Sequence, residues 1–129
     1  MSRQIEQKLQ EQYVFYLRSR KVLFCASSGG MRTTMRTAVK MKRAGYSAGH
    51  PDIIIYEARG GWHGMAAELK CGSYATPEQK LWQADLTARG YYSIIIPGKL
   101  DFWQARDFII DITDRYLKGE IKNGIQPTV

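Results

Sequence analysis

Apolar and polar positions along this chain follow two periods, and the switches between them mark out its helices and strands. From Ser2 to Arg20 the residues Ile5, Leu9, Tyr13, Tyr16 and Leu17 return every three or four positions, which predicts a helix with one buried face. Val22 to Ala26 reads as a strand and Ser27-Ser28-Gly29-Gly30 as a turn. The helical period resumes over Met31 to Arg43, with Met31, Met35 and Val39 on one stripe and Arg32, Arg36, Lys40 and Arg43 on the next. Ile53-Ile54-Ile55-Tyr56 is a β-branched run too short for a helix, Gly60-Gly61 a turn, and Met65 to Lys70 a second strand able to pair back on the first. Thr76-Pro77-Glu78-Gln79 has the form of a capping box with proline at the first helical position, opening a helix that runs to Arg89 and stops at Gly90. Tyr92 to Ile96 is a further strand, closed by Pro97-Gly98. Asp101 caps a last helix carrying Phe102, Ala105, Ile109, Ile112, Tyr116 and Leu117 at core spacing, with Gly119 as terminator and residues 119–129 as a short tail.

That order, α-β-α-β-β-α-β-α, predicts an α/β fold: a mixed central sheet flanked by helices. Strands 53–56 and 65–70 are expected to be central and antiparallel, with strand 92–96 returning parallel through a helical crossover. At 129 residues and 44% hydrophobic content, a single domain over 1–129 is expected. There is neither a membrane-length apolar stretch nor a signal-peptide pattern, so a cytoplasmic protein is expected. Cys25 and Cys71 form no C-x-x-C pair and have no clustered histidines, which argues against zinc. Gly98-Lys99 lacks the remaining P-loop residues, so no nucleotide cofactor is expected.

Charge adds a partner. The net charge is +7, and from Gln12 to Pro51 there is no acidic residue, while Arg18, Arg20, Lys21, Arg32, Arg36, Lys40, Lys42 and Arg43 are all basic. A one-sided cationic field suits a polyphosphate, because neutralising phosphates releases counterions. Arg32, Arg36, Lys40 and Arg43 are the candidate nucleic-acid contacts, with His50 beside them in sequence as a phosphate contact or general base. Trp62 and His63, in a Gly-rich turn, are further candidate contacts, whereas Trp82, Phe102, Trp103 and Tyr116 read as core or dimer surface.

The chemistry lies in Gly49-His50-Pro51-Asp52 and Glu68-Leu69-Lys70. Strand alternation puts Glu68 and Lys70 on one face, and Asp52 at the mouth of the neighbouring strand can converge on them. Two carboxylates brought together repel unless a cation sits between them, and oxygen ligands select a hard ion, Mg²⁺ or Mn²⁺. Such an ion polarises a phosphoryl oxygen and acidifies water, while Lys70 holds that water or offsets charge as it develops. Hydrolysis of a phosphodiester is the expected reaction. One site of this kind cuts one strand, so cutting both strands of a duplex or junction predicts a homodimer.

Over most of its length the chain resembles the virus-type replication-repair nuclease (VRR-Nuc) branch of the PD-(D/E)XK superfamily. The resemblance is carried by Gly45 to Asp52, Gly64 to Lys70, Thr76-Pro77-Glu78-Gln79, Trp82 and Glu6-x-x-x-Gln10, and His50 departs from it. It implies a PD-(D/E)XK core and a catalytic set of Asp52, Glu68, Lys70, Gln79 and Glu6. Asp52 and Glu68 would be metal ligands helped by the Leu69 backbone carbonyl, with Glu6 acting through an outer-shell water. Glu11 is the rival first-helix acid; five residues apart on a helix is about 140°, so the two cannot both face the site. The resemblance further implies a phage-like stand-alone endonuclease acting on branched DNA such as Holliday junctions. A catalytically silent nucleic-acid-binding module and an RNA-directed nuclease are the alternatives.

Overall fold

Side chains on a strand point alternately to opposite faces, and Ile53, Ile54 and Ile55 are all buried, so the strand they form must be covered on both sides. The computed structural model describes residues 2–27 and 34–124. Its elements are α1 (Ser2–Ser19), β1 (Phe24–Ala26), α2 (Met35–Arg43), β2 (Ile53–Ile55), β3 (Gly64–Glu68), α3 (Pro77–Ala88), β4 (Tyr91–Ile95) and α4 (Phe102–Leu117). The sheet order is β1-β2-β3-β4. β2 pairs antiparallel with both β1 and β3, and β4 lies parallel to β3. This is the mixed sheet expected from the element order, and the connection from β3 to β4 is made by α3.

One sheet face carries Ile53, Ile55, Met65 and Ala67, which form the core with Leu9, Tyr13 and Leu17 of α1 and with Ala105, Ile109 and Tyr116 of α4. Burying one large aliphatic or aromatic side chain contributes about 1.5–3 kcal/mol, so these positions dominate the stability of the fold. Polar atoms inside this layer are matched. Tyr13 Oη lies 2.6 Å from Thr113 Oγ1, tying α1 to α4, and the Tyr116 hydroxyl donates to the Glu57 carbonyl at 2.7 Å. α3 covers the other face, where the Gln83 amide donates to the Ser93 carbonyl at 3.2 Å. β3 is Gly-Met-Ala-Ala-Glu, and small residues are what its central place demands: a Cβ on Gly64 would come within 2.6 Å of the Ile55 carbonyl oxygen.

The structure moves one strand boundary and adds two features, an open α2 stripe and an anchored tail. β3 ends at Glu68 rather than Lys70, so Leu69 and Lys70 follow the strand. The apolar stripe on α2 lies open: Met35 is 81% exposed, Val39 45%, and α2 buries no residue. Helical period records amphipathicity, but burial needs an opposing surface, and among the described residues none covers this stripe. Finally, the tail as far as Asn123 is anchored, since Asn123 N–H donates to the Gly60 carbonyl at 2.8 Å and Trp62 Nε1 to the Ile121 carbonyl at 3.0 Å. That contact half-buries Trp62 against the core.

Candidate active site

Pairing of Ile53 with Ala67 sets the site, because one further step along the same antiparallel register puts Asp52 across from Glu68. Directly opposed residues have Cβ atoms about 4.5–5.5 Å apart, and like charges in that position repel. Asp52 is held at both ends. Its carbonyl accepts from Ser27 N–H at 2.8 Å, and its Oδ2 accepts from Leu69 N–H at 2.8 Å. Pro51, buried in front of it, limits the approach of the chain to one backbone φ.

Glu68 is only 4% exposed. Its Oε1 accepts from Gln79 Nε2 at 2.9 Å, whereas Oε2 is buried with no donor group beside it among the described residues and only the Asp52 carboxyl within reach. The Gln79 amide is oriented by the cap of α3, where Thr76 N–H donates to Gln79 Oε1 at 2.9 Å. With its oxygen engaged by the backbone, the amide has only its nitrogen to turn toward Glu68. The capping box read from sequence is formed in both directions.

Lys70 is buried at 8% exposure, and its positive charge acts on both carboxylates. Glu6 reaches over from α1, its Oε2 accepting from Cys71 N–H at 3.1 Å and from the Ser73 hydroxyl at 2.5 Å. Its charge is felt at Asp52 and Glu68, whereas Glu11 is exposed. Burial, then repulsion by Asp52, pushes the Glu68 carboxyl up to about 9. Asp52 is also raised, by burial, against the opposing pull of the Leu69 N–H. Each of these acids therefore resists losing its proton unless another positive charge takes the proton's place.

Asp52, Glu68, Lys70, Gln79 and Glu6 are thus brought to one end of the sheet. His50 is set into a structural corner: its Nδ1 lies 2.8 Å from the Pro51 carbonyl, and its ring meets Trp82 edge-on at 5.0 Å. Gly49, at φ +87, packs so closely that a Cβ there would lie 2.6 Å from the Glu78 backbone. Arg36, Lys40 and Arg43 are exposed on α2, while Arg32 lies outside the described residues. Ser73 is a participant missed in the sequence, and no local signal marks it, because its partner Glu6 is 67 residues away.

Among the described residues no three His, Cys, Asp or Glu side chains form a ready-made metal cluster. The orphaned Glu68 Oε2 opposite Asp52 nevertheless fits a Mg²⁺-type ion, which is typically held by one or two carboxylates and otherwise keeps its waters and the substrate's oxygens. Glu6 is committed to Cys71 and Ser73, which leaves it outside direct ligation and compatible with a contact through water.

A mixed sheet with an acid leading into one central strand and E-x-K ending the next is the PD-(D/E)XK type of fold. No protein-family model matches the chain, and no curated protein matches it. Among solved structures, a "VRR_NUC domain protein" aligns with a TM-score of 0.66 and 28% identity, over 92% of this chain and 95% of that one. The chain is thus similar, in fold and in sequence, to a VRR-Nuc domain protein. No helix among the described residues is long and apolar enough to cross a membrane.

Proposed function

We propose that this chain is a Mg²⁺- or Mn²⁺-dependent endodeoxyribonuclease that hydrolyses phosphodiester bonds, selects branched DNA such as Holliday junctions, and works as a homodimer. The observation that carries the reading is the buried acid pair itself: Asp52 and Glu68 lie within hydrogen-bond reach of each other, and Glu68 Oε2 has no donor group beside it among the described residues. Two buried carboxyls this close hold a proton between them, and a divalent cation can take that proton's place. Asp52, Glu68 and the Leu69 carbonyl would hold the ion, and Glu6 would assist through water. When bound, the ion polarises the phosphoryl oxygen and makes water a better nucleophile.

The chain's own residues do the rest. Gln79 locks one oxygen of Glu68 so that the other stays aimed into the site. Lys70, next to two acids, orients the attacking water and offsets charge gathering on the phosphoryl oxygens. Arg36, Lys40 and Arg43, with Arg32, would contact flanking phosphates of the DNA. A bare site of this size cannot sense the angle between duplex arms, so branch selection is placed in the pairing of two copies.

The test is cleavage of linear duplex, single strand, fork and four-way junction, with an RNA duplex in parallel, in Mg²⁺, Mn²⁺ or EDTA. The reading expects metal-dependent cutting, strongest on branched DNA. Equal rates in EDTA, or no cutting of any substrate, would overturn it, and cutting of RNA alone would reassign the substrate.

A further inference from the structure

Gly72 N–H donates to the Gly98 carbonyl at 2.9 Å, and a Cβ on Gly98 would lie 2.0 Å from the Ser73 carbonyl oxygen and 3.0 Å from the Tyr74 ring. The chain after Lys70 therefore passes directly over Gly98, and the crossing leaves the Tyr74 side chain 71% exposed. Beneath it is a depression of about 470 Å³ between the start of α3 and the end of β4, lined by Tyr74, Lys80, Gln83, Ile95, Pro97 and Gly98. Its floor adjoins the acid site: Ile95 is the register partner of Glu68, and Ile96 N–H donates to the Glu68 carbonyl at 3.0 Å. Gln79, which holds Glu68, is followed at once by Lys80 on the rim.

We infer that this depression receives one unpaired nucleobase of the substrate strand next to the phosphate being cut, with Tyr74 as its stacking platform and Lys80 on its phosphate. The inference rests on the nuclease reading for the position of that phosphate. An exposed ring over an apolar floor offers a π-face and dispersion contact, which suit a flat heteroaromatic. Lys80 makes no ion pair among the described residues, so its charge is available to an anion attached to that ring system. One Gln83 N–H is donated to the Ser93 carbonyl, and the ring face is the main contact on offer, so stacking governs and any base is accepted. A base inside a duplex has both faces covered by its neighbours, so only an unpaired nucleotide, as in the single-stranded arm of a fork, can enter.

The experiment uses the full chain in EDTA, where binding is read without cutting, and fork DNA in which 2-aminopurine is moved one nucleotide at a time across the branch. Stacking on Tyr74 should quench the probe at one unpaired position, and Tyr74→Phe should keep that quench. Tyr74→Ala should abolish it and weaken fork binding about tenfold while changing affinity for fully paired duplex less than twofold. Lys80→Ala should weaken fork binding and reduce its salt dependence by about one phosphate contact. An unchanged quench in Tyr74→Ala, or equal losses on fork and duplex, would overturn the inference. Cleavage in Mg²⁺ measured alongside separates the two claims: a wild-type chain that quenches but never cuts keeps the subsite and loses the nuclease.

Discussion

Asp52 and Glu68 carry an electrostatic load that only a protein fold could impose, and it has a measurable consequence for stability. Both carboxyls are raised above the ordinary range by burial, and Glu68 is pushed further by Asp52, to about 9. A raised carboxyl binds its proton more tightly in the folded than in the unfolded chain, so its contribution is complete below pH 4 or so and is lost as pH rises toward 9. The metal-free protein should therefore melt lower at pH 8.5 than at pH 5.5 through this pair, and Glu68→Gln should flatten that difference. Mg²⁺ should raise the melting temperature more at the higher pH, because protons and cation compete for the same oxygens. Thermal melts at both pH values with and without Mg²⁺ check this; a Mg²⁺ effect that shrinks with pH would contradict it. Gln79→Ala should lower cleavage about 10- to 100-fold, as expected for a residue that orients a ligand, with DNA affinity in EDTA unchanged. A variant cutting at the normal rate would remove Gln79 from the site.

At the scale of elements, α3 and α2 make a contrast. α3 is bound to the sheet, and its cap does two jobs, since Thr76 both starts the helix and turns the Gln79 amide toward Glu68. α2 has a cap at Thr34 and a basic last turn of Lys40, Lys42 and Arg43, yet buries no residue. Its charge is therefore separable from the stability of the domain. Replacing Arg36, Lys40 and Arg43 together by Gln should leave the melting temperature nearly unchanged. The same change should weaken DNA binding and lower the slope of log K against log salt by about 2–3. Fluorescence anisotropy over a salt series measures it, and an unaltered slope would return this helix to plain solvent exposure.

For the whole molecule, the prediction concerns assembly. One chain offers one acid pair, so cutting two strands in concert requires two chains, and light scattering should give a mass twice the 14.8 kDa of the monomer. A monomer at working concentration would confine the activity to nicking. The apolar residues Phe15, Leu23, Met35 and Trp103 are all at least 60% exposed, which leaves apolar surface outside the core on several elements.

Much of this was legible in the chain. The β-branched runs, the capping boxes at Thr76 and Asp101, and the E-x-K spacing are local, and local sterics and hydrogen bonding act over a few residues, so the elements fall within a few residues of where the pattern puts them. Asp52, Glu68 and Lys70 were candidates for the same reason, since alternation along a strand is a short-range property. The Glu6 bonds to Cys71 and Ser73, the orphaned Glu68 Oε2, the cover that Ile121 gives Trp62, and the exposed flank of α2 were not legible. Each depends on which distant segment arrives opposite a side chain, and that is decided by the packing of the whole chain. The sequence by itself determined the elements and the chemical types gathered at the strand ends. Only the tertiary structure decided which acid was left unsatisfied, because desolvation is a property of surroundings and not of the residue.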